Sequence, residues 1–366
     1  MRSLFVRVAF AAPLMMLASA ATAQSSPSGS PDARPPVFRP PSKQLPPRAA
    51  PDMQAVLNAL AKLGARPINS LTPAQARAQP SPADAVAVVL RQRGMSSAPD
   101  PSVVTRELAY GPEAEQRVRI YTPAGRTRGL LPMLVYYHGG GWVIANLDVY
   151  DSTPRMLAKK LNAMVVSVEY RHAPEYKFPA QHDDAVSAYR YTLDNAAKWG
   201  GDPRRLAFVG ESAGGNLAIN TAIAAREQRL PMPRHIISVY PIANTSMTIP
   251  SRRTAANAKP LSTPDLPWFG YYYTRTPADL QDPRINLVKA DLHGLPPVTI
   301  VSAQIDPLLS DGLTLTTALR RAGVSVEQRT FPGVTHEFFG MGAVVSGAAM
   351  ANDYAVTRLR PVLDQR

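Results

Sequence analysis

From Glu107 onward the chain alternates short runs rich in β-branched and aromatic residues with longer stretches of helical periodicity, and this alternation restricts it to one kind of architecture. The apolar runs cover 118–121, 133–137, 164–168, 206–210, 235–240, 298–302 and 324–331, and helical patterns between them cover 153–161, 183–198, 213–229 and 311–322. Strands this uniformly apolar must be covered on both faces, and parallel strands need a crossover of helical length to become neighbours. The pattern predicts an α/β fold with a mostly parallel sheet flanked by helices. Ahead of it, Asp52 can cap a helix carrying Met53, Val56, Leu57, Leu60 and Leu63 at helical spacing, and a second helical pattern runs over 83–93. These predict a helical cap over about 52–95 on a single domain spanning 52–366.

The N-terminal segment carries a different signal. Arg2 and Arg7 precede the apolar run 8–17, and small residues end in Ala21-Thr22-Ala23 before Gln24. That is the pattern of a cleavable secretory signal over 1–23, cut after Ala23, so the chain is expected to be secreted or periplasmic. Residues 24–51 form a Pro/Ser/Arg tract with few apolar side chains to bury, which predicts an extended spacer. No later segment is apolar for long enough to cross a bilayer, so no stable membrane insertion is expected.

Charge and cysteine content exclude several function classes. The net charge of +13 comes from basic residues scattered along the chain rather than gathered in a run interleaved with aromatics, which argues against a nucleic-acid partner. The absence of cysteine removes disulfides, thiolate metal sites and a cysteine nucleophile together. Covalent catalysis must then use another side chain.

Gly210-Glu211-Ser212-Ala213-Gly214 lies between the apolar run 206–209 and the apolar helix 216–225. A serine hydroxyl becomes a nucleophile only when a base takes its proton, and it must stand clear of the sheet to reach a carbonyl. A sharp strand-to-helix turn lifts it there and requires small residues two before and two after, because strand and helix backbones approach closely. His138-Gly139-Gly140-Gly141-Trp142 follows the run 133–137. Its glycines permit backbone angles that turn N–H groups toward an oxyanion, joined by the N–H of Ala213. A phosphate-loop reading lacks the Lys-Ser/Thr ending, and a dinucleotide fingerprint lacks the spacing.

Asp306 follows the run 298–302 and His336 follows the run ending at Phe331, the chain order Ser, Asp, His of α/β-hydrolases, each at a strand C-terminus. Of six histidines, His138 suits the glycine loop, His172 and His182 precede the serine, His235 leads into a strand and His293 precedes the strand of Asp306. His336 remains as the base. Asp311, close to Asp306, is the alternative acid, although a helix N-cap also explains it.

Together these residues resemble the hormone-sensitive lipase family of bacterial carboxylesterases. The resemblance rests on His138 to Trp142, Tyr170-Arg171-His172-Ala173-Pro174-Glu175, Gly210 to Gly215, Asp306-Pro307-Leu308 and Gly333-Val334-Thr335-His336. It implies the α/β-hydrolase fold with an eight-stranded, mostly parallel sheet, a lid built from N-terminal helices and an inserted segment, and no metal or other cofactor. It further implies Ser212, Asp306 and His336 as triad, with Gly140, Gly141 and Ala213 as oxyanion donors. The chain departs from the family pattern at Glu211, where Asp is usual, at His172, where Leu is usual, at Leu309-Ser310-Asp311, and at Glu337-Phe338 after the histidine.

The expected activity is hydrolysis of short- to medium-chain acyl esters through an acyl-enzyme, with a small-molecule ester as partner. Trp142, Trp268, Phe269 and Tyr271 to Tyr273 are candidates to line an acyl pocket, Trp142 first among them, although core packing explains aromatic residues equally well. The alternatives are an amidase or peptidase on the same scaffold and a binding protein that kept the fold and lost the chemistry. Ester against amide substrates separates the first from an esterase. Retention of nucleophile, acid, base and oxyanion glycines together argues against the second.

Overall fold

The odd and even residues of the run 133–137 part company in space. Met133, Val135 and Tyr137 join one hydrophobic cluster, Leu134 and Tyr136 join another, and all five are fully buried. A period of two with both sets buried is what a central strand of a covered sheet requires. The computed structural model describes residues 47–125 and 129–365 and shows that sheet.

Its strands are β1 (Val103–Ala109), β2 (Arg117–Pro123), β3 (Leu131–Tyr137), β4 (Met164–Val168), β5 (Gly201–Glu211), β6 (Ile236–Val239), β7 (Val298–Ile305) and β8 (Val326–Thr335). They lie in the order β1-β2-β4-β3-β5-β6-β7-β8. The β1–β2 and β2–β4 pairs are antiparallel and all others parallel. The eight-stranded, mostly parallel expectation is borne out. Seven of the strands coincide with the apolar runs, within a few residues at their ends. β1 is the one not anticipated, because most of it is exposed and its middle is polar, Thr105, Arg106 and Glu107, as an edge strand tolerates: Glu107 there binds Arg119 of β2 at 2.6 Å.

The helices are α1 (Pro51–Lys62), α2 (Pro73–Ala78), α3 (Pro82–Gln92), α4 (Ser152–Leu161), α5 (Ala180–Trp199), α6 (Ala213–Glu227), α7 (Ser251–Thr254), α8 (Asp265–Tyr273), α9 (Leu309–Arg321) and α10 (Ser346–Asp364). Apolar positions of α5, α6 and α9 fill the cluster on one face of the sheet, and those of α1, α3, α4 and α10 fill the other. α2 and α3 start with capping boxes, Thr72 with Gln75 and Ser81 with Asp84, each followed by proline. α1 begins at Pro51 and is pinned where it enters: the Ala50 N–H donates to Gly333 O at 2.8 Å, just ahead of His336.

The N-terminal helices do more than lie over the domain. Met53, Val56, Val89 and Leu90 complete a core cluster of the sheet, while Leu71 and Ala76 pack with Trp142 and Trp268. α7 and α8 belong to the segment between β6 and β7, and Trp268 of α8 donates its indole N–H to Leu71 O at 2.8 Å, tying that segment to the N-terminal one. The secretory-signal reading and most of the proline-rich spacer fall outside the described residues. Among the described residues no helix is long and apolar enough to cross a membrane.

Candidate active site

β5 ends at Glu211 and α6 starts at Ala213, which leaves Ser212 alone at the turn with φ 56° and ψ −116°. Such a conformation costs a non-glycine residue of order 1–3 kcal/mol and persists only when its surroundings hold it. Here the Ser212 N–H donates to Val239 O at 2.8 Å, and the Ser212 carbonyl accepts from Asn216 and Ile242. The glycines around it are required by contact: a Cβ on Gly210 would overlap the Gly214 carbonyl, and one on Gly214 would overlap the Tyr137 carbonyl of β3.

Asp306 follows β7 directly and His336 follows β8 directly, so two neighbouring parallel strands deliver both side chains to the same end of the sheet. His336 Nδ1 lies 2.7 Å from Asp306 Oδ2, and His336 Nε2 lies 3.0 Å from Ser212 Oγ. The other oxygen of Asp306 accepts the Leu308 N–H at 2.7 Å, which fixes the carboxylate plane. With Nδ1–H committed to Asp306, the Nε2 lone pair is left to accept the serine hydroxyl. Asp306, His336 and Ser212 are 0%, 2% and 4% exposed, so these bonds are shielded from water. Burial opposes the imidazolium, yet the adjacent Asp306 carboxylate, with Glu337 adding to it, holds the His336 pKa above its ordinary value.

Gly140 and Gly141 have φ of +96° and +58°, and a side chain on either would collide, with the Ile144 carbonyl and the Phe269 ring respectively. The Gly140 carbonyl accepts from Val143 and Ile144 at 3.0 Å, turning the loop back on itself. The N–H groups of Gly140, Gly141 and Ala213 donate to no acceptor among the described residues. For Ala213 this follows from its place as first residue of α6, since the first N–H groups of a helix have no intrahelical partner. His138 shapes the loop as expected, with Nδ1 2.8 Å from Gly139 O and its ring stacked on Tyr170 at 4.3 Å. Free donors beside a hydrogen-bonded hydroxyl, imidazole and carboxylate make an arrangement suited to acyl transfer.

The model of a family with the alpha/beta hydrolase fold matches residues 134–340, more than half of the chain, from β3 through the residues following His336. The chain belongs to the α/β-hydrolase family. It is similar to carboxylesterase NlhH of Mycobacterium tuberculosis, 37% identical over 270 residues that make up 72% of this chain and 84% of that one. It is similar to an ethyl acetate hydrolase of Pseudomonas putida, 37% identical over 234 residues, 63% and 74% of the two chains. Among solved structures, a hyperthermophilic esterase from the archaeon Pyrobaculum calidifontis superposes with a TM-score of 0.75 at 30% identity, over 86% of this chain and 98% of that one. An ester hydrolase from the metagenome of Lake Arreo gives 0.74 at 35% identity, over 87% and 100%. These matches agree with the resemblance to the hormone-sensitive lipase family.

In this α/β-hydrolase, Asp311 has a different partner from His336. It is fully buried, accepts the N–H groups of Ala243 and Asn244, and forms an ion pair with Arg252 of α7 at 2.8 Å. Arg252 also donates to the Pro307 carbonyl, beside Asp306. Trp142 is buried and stacked on Tyr273 at 4.2 Å, whereas Phe269 is the ring packed directly on Gly141. Glu211 turns its side chain under the site, accepting the hydroxyls of Tyr136 at 2.6 Å and of Tyr240, whose ring lies 4.5 Å from that of His336. Burial pushes the Glu211 carboxyl up to about 7 in spite of those two donors. In the sequence Glu211 and Glu337 stand out only as departures from the family pattern; Tyr150, Tyr240 and Arg252 carry no local signal, because each acts through a neighbour far along the chain.

Proposed function

We propose that the protein is a serine carboxylesterase that hydrolyses short- to medium-chain acyl esters through an acyl-enzyme on Ser212. His336 takes the Ser212 proton as the hydroxyl oxygen attacks the ester carbonyl. The resulting oxyanion accepts from Gly140, Gly141 and Ala213, and the same proton passes from Nε2 to the leaving alcohol. Water repeats the sequence on the acyl-enzyme and releases the acid. Asp306 holds the imidazole in the productive tautomer and stabilises its cation. Phe269, against Gly141, and Trp142, braced by Tyr273, form an aromatic wall beside the oxyanion loop. The observation that carries this reading is the unbroken chain of contacts from Asp306 through His336 to Ser212. The names of the similar proteins, carboxylesterase, ethyl acetate hydrolase and, from Salmonella schwarzengrund, acetyl esterase, support ester substrates with small acyl groups.

The test is a panel of p-nitrophenyl esters of increasing acyl length set against p-nitroanilides of the same acids. The reading expects turnover of esters with a maximum at short or medium length and far slower anilide cleavage; preference for anilides would overturn it in favour of an amidase. The proposal includes export, with cleavage after Ala23, supported by the basic start, apolar run and small-residue exit of 1–23. N-terminal sequencing of protein recovered from the periplasm or medium checks it, and a mature chain beginning at Met1 contradicts it.

A further inference from the structure

The C-terminal ends of β3 and β4, neighbouring parallel strands, bring together a second cluster that ester hydrolysis does not use. His138 follows β3, and Glu169 and His172 follow β4. All three are buried, and one ligand-capable atom from each lies within 4.8 Å of the others. His138 Nε2 is 3.2 Å and His172 Nε2 is 3.6 Å from Glu169 Oε1. Donors of a tetrahedral zinc site stand about 3.3 Å apart when each bond is about 2.0–2.1 Å, so these separations suit a shared cation.

The hydrogen-bond pattern around the cluster points inward. His138 Nδ1 faces the Gly139 carbonyl at 2.8 Å and so carries the proton, which leaves the Nε2 lone pair aimed at a carboxylate oxygen that also has only lone pairs to offer. The other carboxylate oxygen of Glu169 is occupied by the Leu147 N–H at 2.9 Å, which orients Oε1 toward the two imidazoles. His172 Nε2 is buried without a hydrogen-bond partner. A proton on His138 would resolve one contact and leave His172 bare; one divalent cation resolves all three. A ligating histidine whose other nitrogen donates to a backbone carbonyl is the usual outer support of a metal site. Of the three residues, His172 is the one at which the chain departs from the leucine usual in the resembling family.

We propose that His138, Glu169 and His172 form a buried binding site for a divalent transition-metal ion of the zinc class, bracing the start of the oxyanion loop. Binding would tie the loop after β3 to the segment after β4. No step of ester hydrolysis passes through the metal.

The experiment uses the full chain stripped with a chelator and dialysed into metal-free buffer, titrated with zinc against a chromophoric chelator. The expected result is one tight equivalent, a rise in Tm on zinc addition, and visible-region absorption on cobalt addition, with all three lost and affinity falling at least about 100-fold in His172→Leu. Metal-free His172→Leu should keep ester hydrolysis within about twofold of the parent, since His172 touches no reacting atom. His172→Gln serves in its place if the leucine variant does not fold. His293→Ala removes the exposed His293–Asp291 pair and should leave the titration unchanged. Absence of a tight equivalent, or a titration indifferent to His172 substitution, overturns the site and leaves the cluster as a protonated His138–Glu169 pair.

Discussion

Glu337 places a carboxylate oxygen 3.7 Å from Nε2 of His336, the nitrogen that faces Ser212. The Tyr150 hydroxyl, 2.7 and 2.6 Å from its two oxygens, holds it there, and the Glu337 backbone adopts φ 69°, the left-handed region that favours glycine. The charged and titratable groups facing His336 are therefore Asp306, Glu337, Glu211 and Tyr240, three carboxyls and a phenol.

In the proposed mechanism neutral His336 is the base, so kcat/KM should rise with pH through the His336 pKa, which lies above the ordinary value of about 6.5. Glu337→Gln keeps the shape and a carbonyl acceptor for Tyr150 while removing a charge that favours the imidazolium. The acid limb should then move to lower pH by roughly half to one unit. A pH profile of kcat/KM for parent and variant checks this; an unmoved limb means that the Glu337 charge does not reach the imidazole.

Ser212→Ala should abolish ester turnover, by about 10⁴-fold or more, and covalent labelling by an organophosphate with it. Its Tm should stay near that of the parent, because the elbow is held by backbone bonds of residue 212. Intact labelling in the variant would locate the nucleophile elsewhere.

For Asp306→Asn the expected loss is about 10⁴-fold in kcat with little change in KM, since an amide in this position favours the wrong tautomer of His336. Steady-state kinetics at pH 7 and 9 measure it. A loss below tenfold would show that Tyr240, packed on the imidazole, orients the ring without the carboxylate.

Gly141→Ala drives a methyl group into the Phe269 ring at a positive φ. Either the loop or Phe269 must shift, and displacement of one oxyanion donor costs about 10²–10³ in kcat. If the loop moves, the double variant with Phe269→Ala recovers most of the rate; if Phe269 alone yields, Gly141→Ala by itself loses little, and the comparison of the two reads which one moved.

Arg252→Met leaves Asp311, fully buried and held above the ordinary carboxyl pKa by burial, without its cation. Breaking a buried pair on one side costs about 3–5 kcal/mol. Denaturant unfolding should show that loss at neutral pH and a smaller one in acid, where Asp311 protonates. Asp311→Asn added to Arg252→Met should restore part of the stability.

Much of the architecture was legible because it depends on local chemistry. Apolar runs such as 133–137 and 164–168 declare central strands by being buried on both faces, and the elbow around Ser212 declares itself through glycines that a close strand-to-helix approach demands. β1 was not legible, since an exposed edge strand carrying Thr105, Arg106 and Glu107 has no hydrophobic period to read. α10 is not legible either, although its apolar residues complete a core cluster, because alanine-rich helices announce a buried face weakly.

The sequence by itself determined the fold class, the order of the candidate nucleophile, acid and base, and the loop that can offer N–H donors, because each is encoded by residue type next to secondary structure. Only the tertiary structure decided which carboxyl meets His336, that Asp311 belongs to Arg252, and that Glu337 and Tyr150 stand beside the imidazole. Electrostatic partnership depends on separation through space and on the burial between charges, and neither can be counted along the chain.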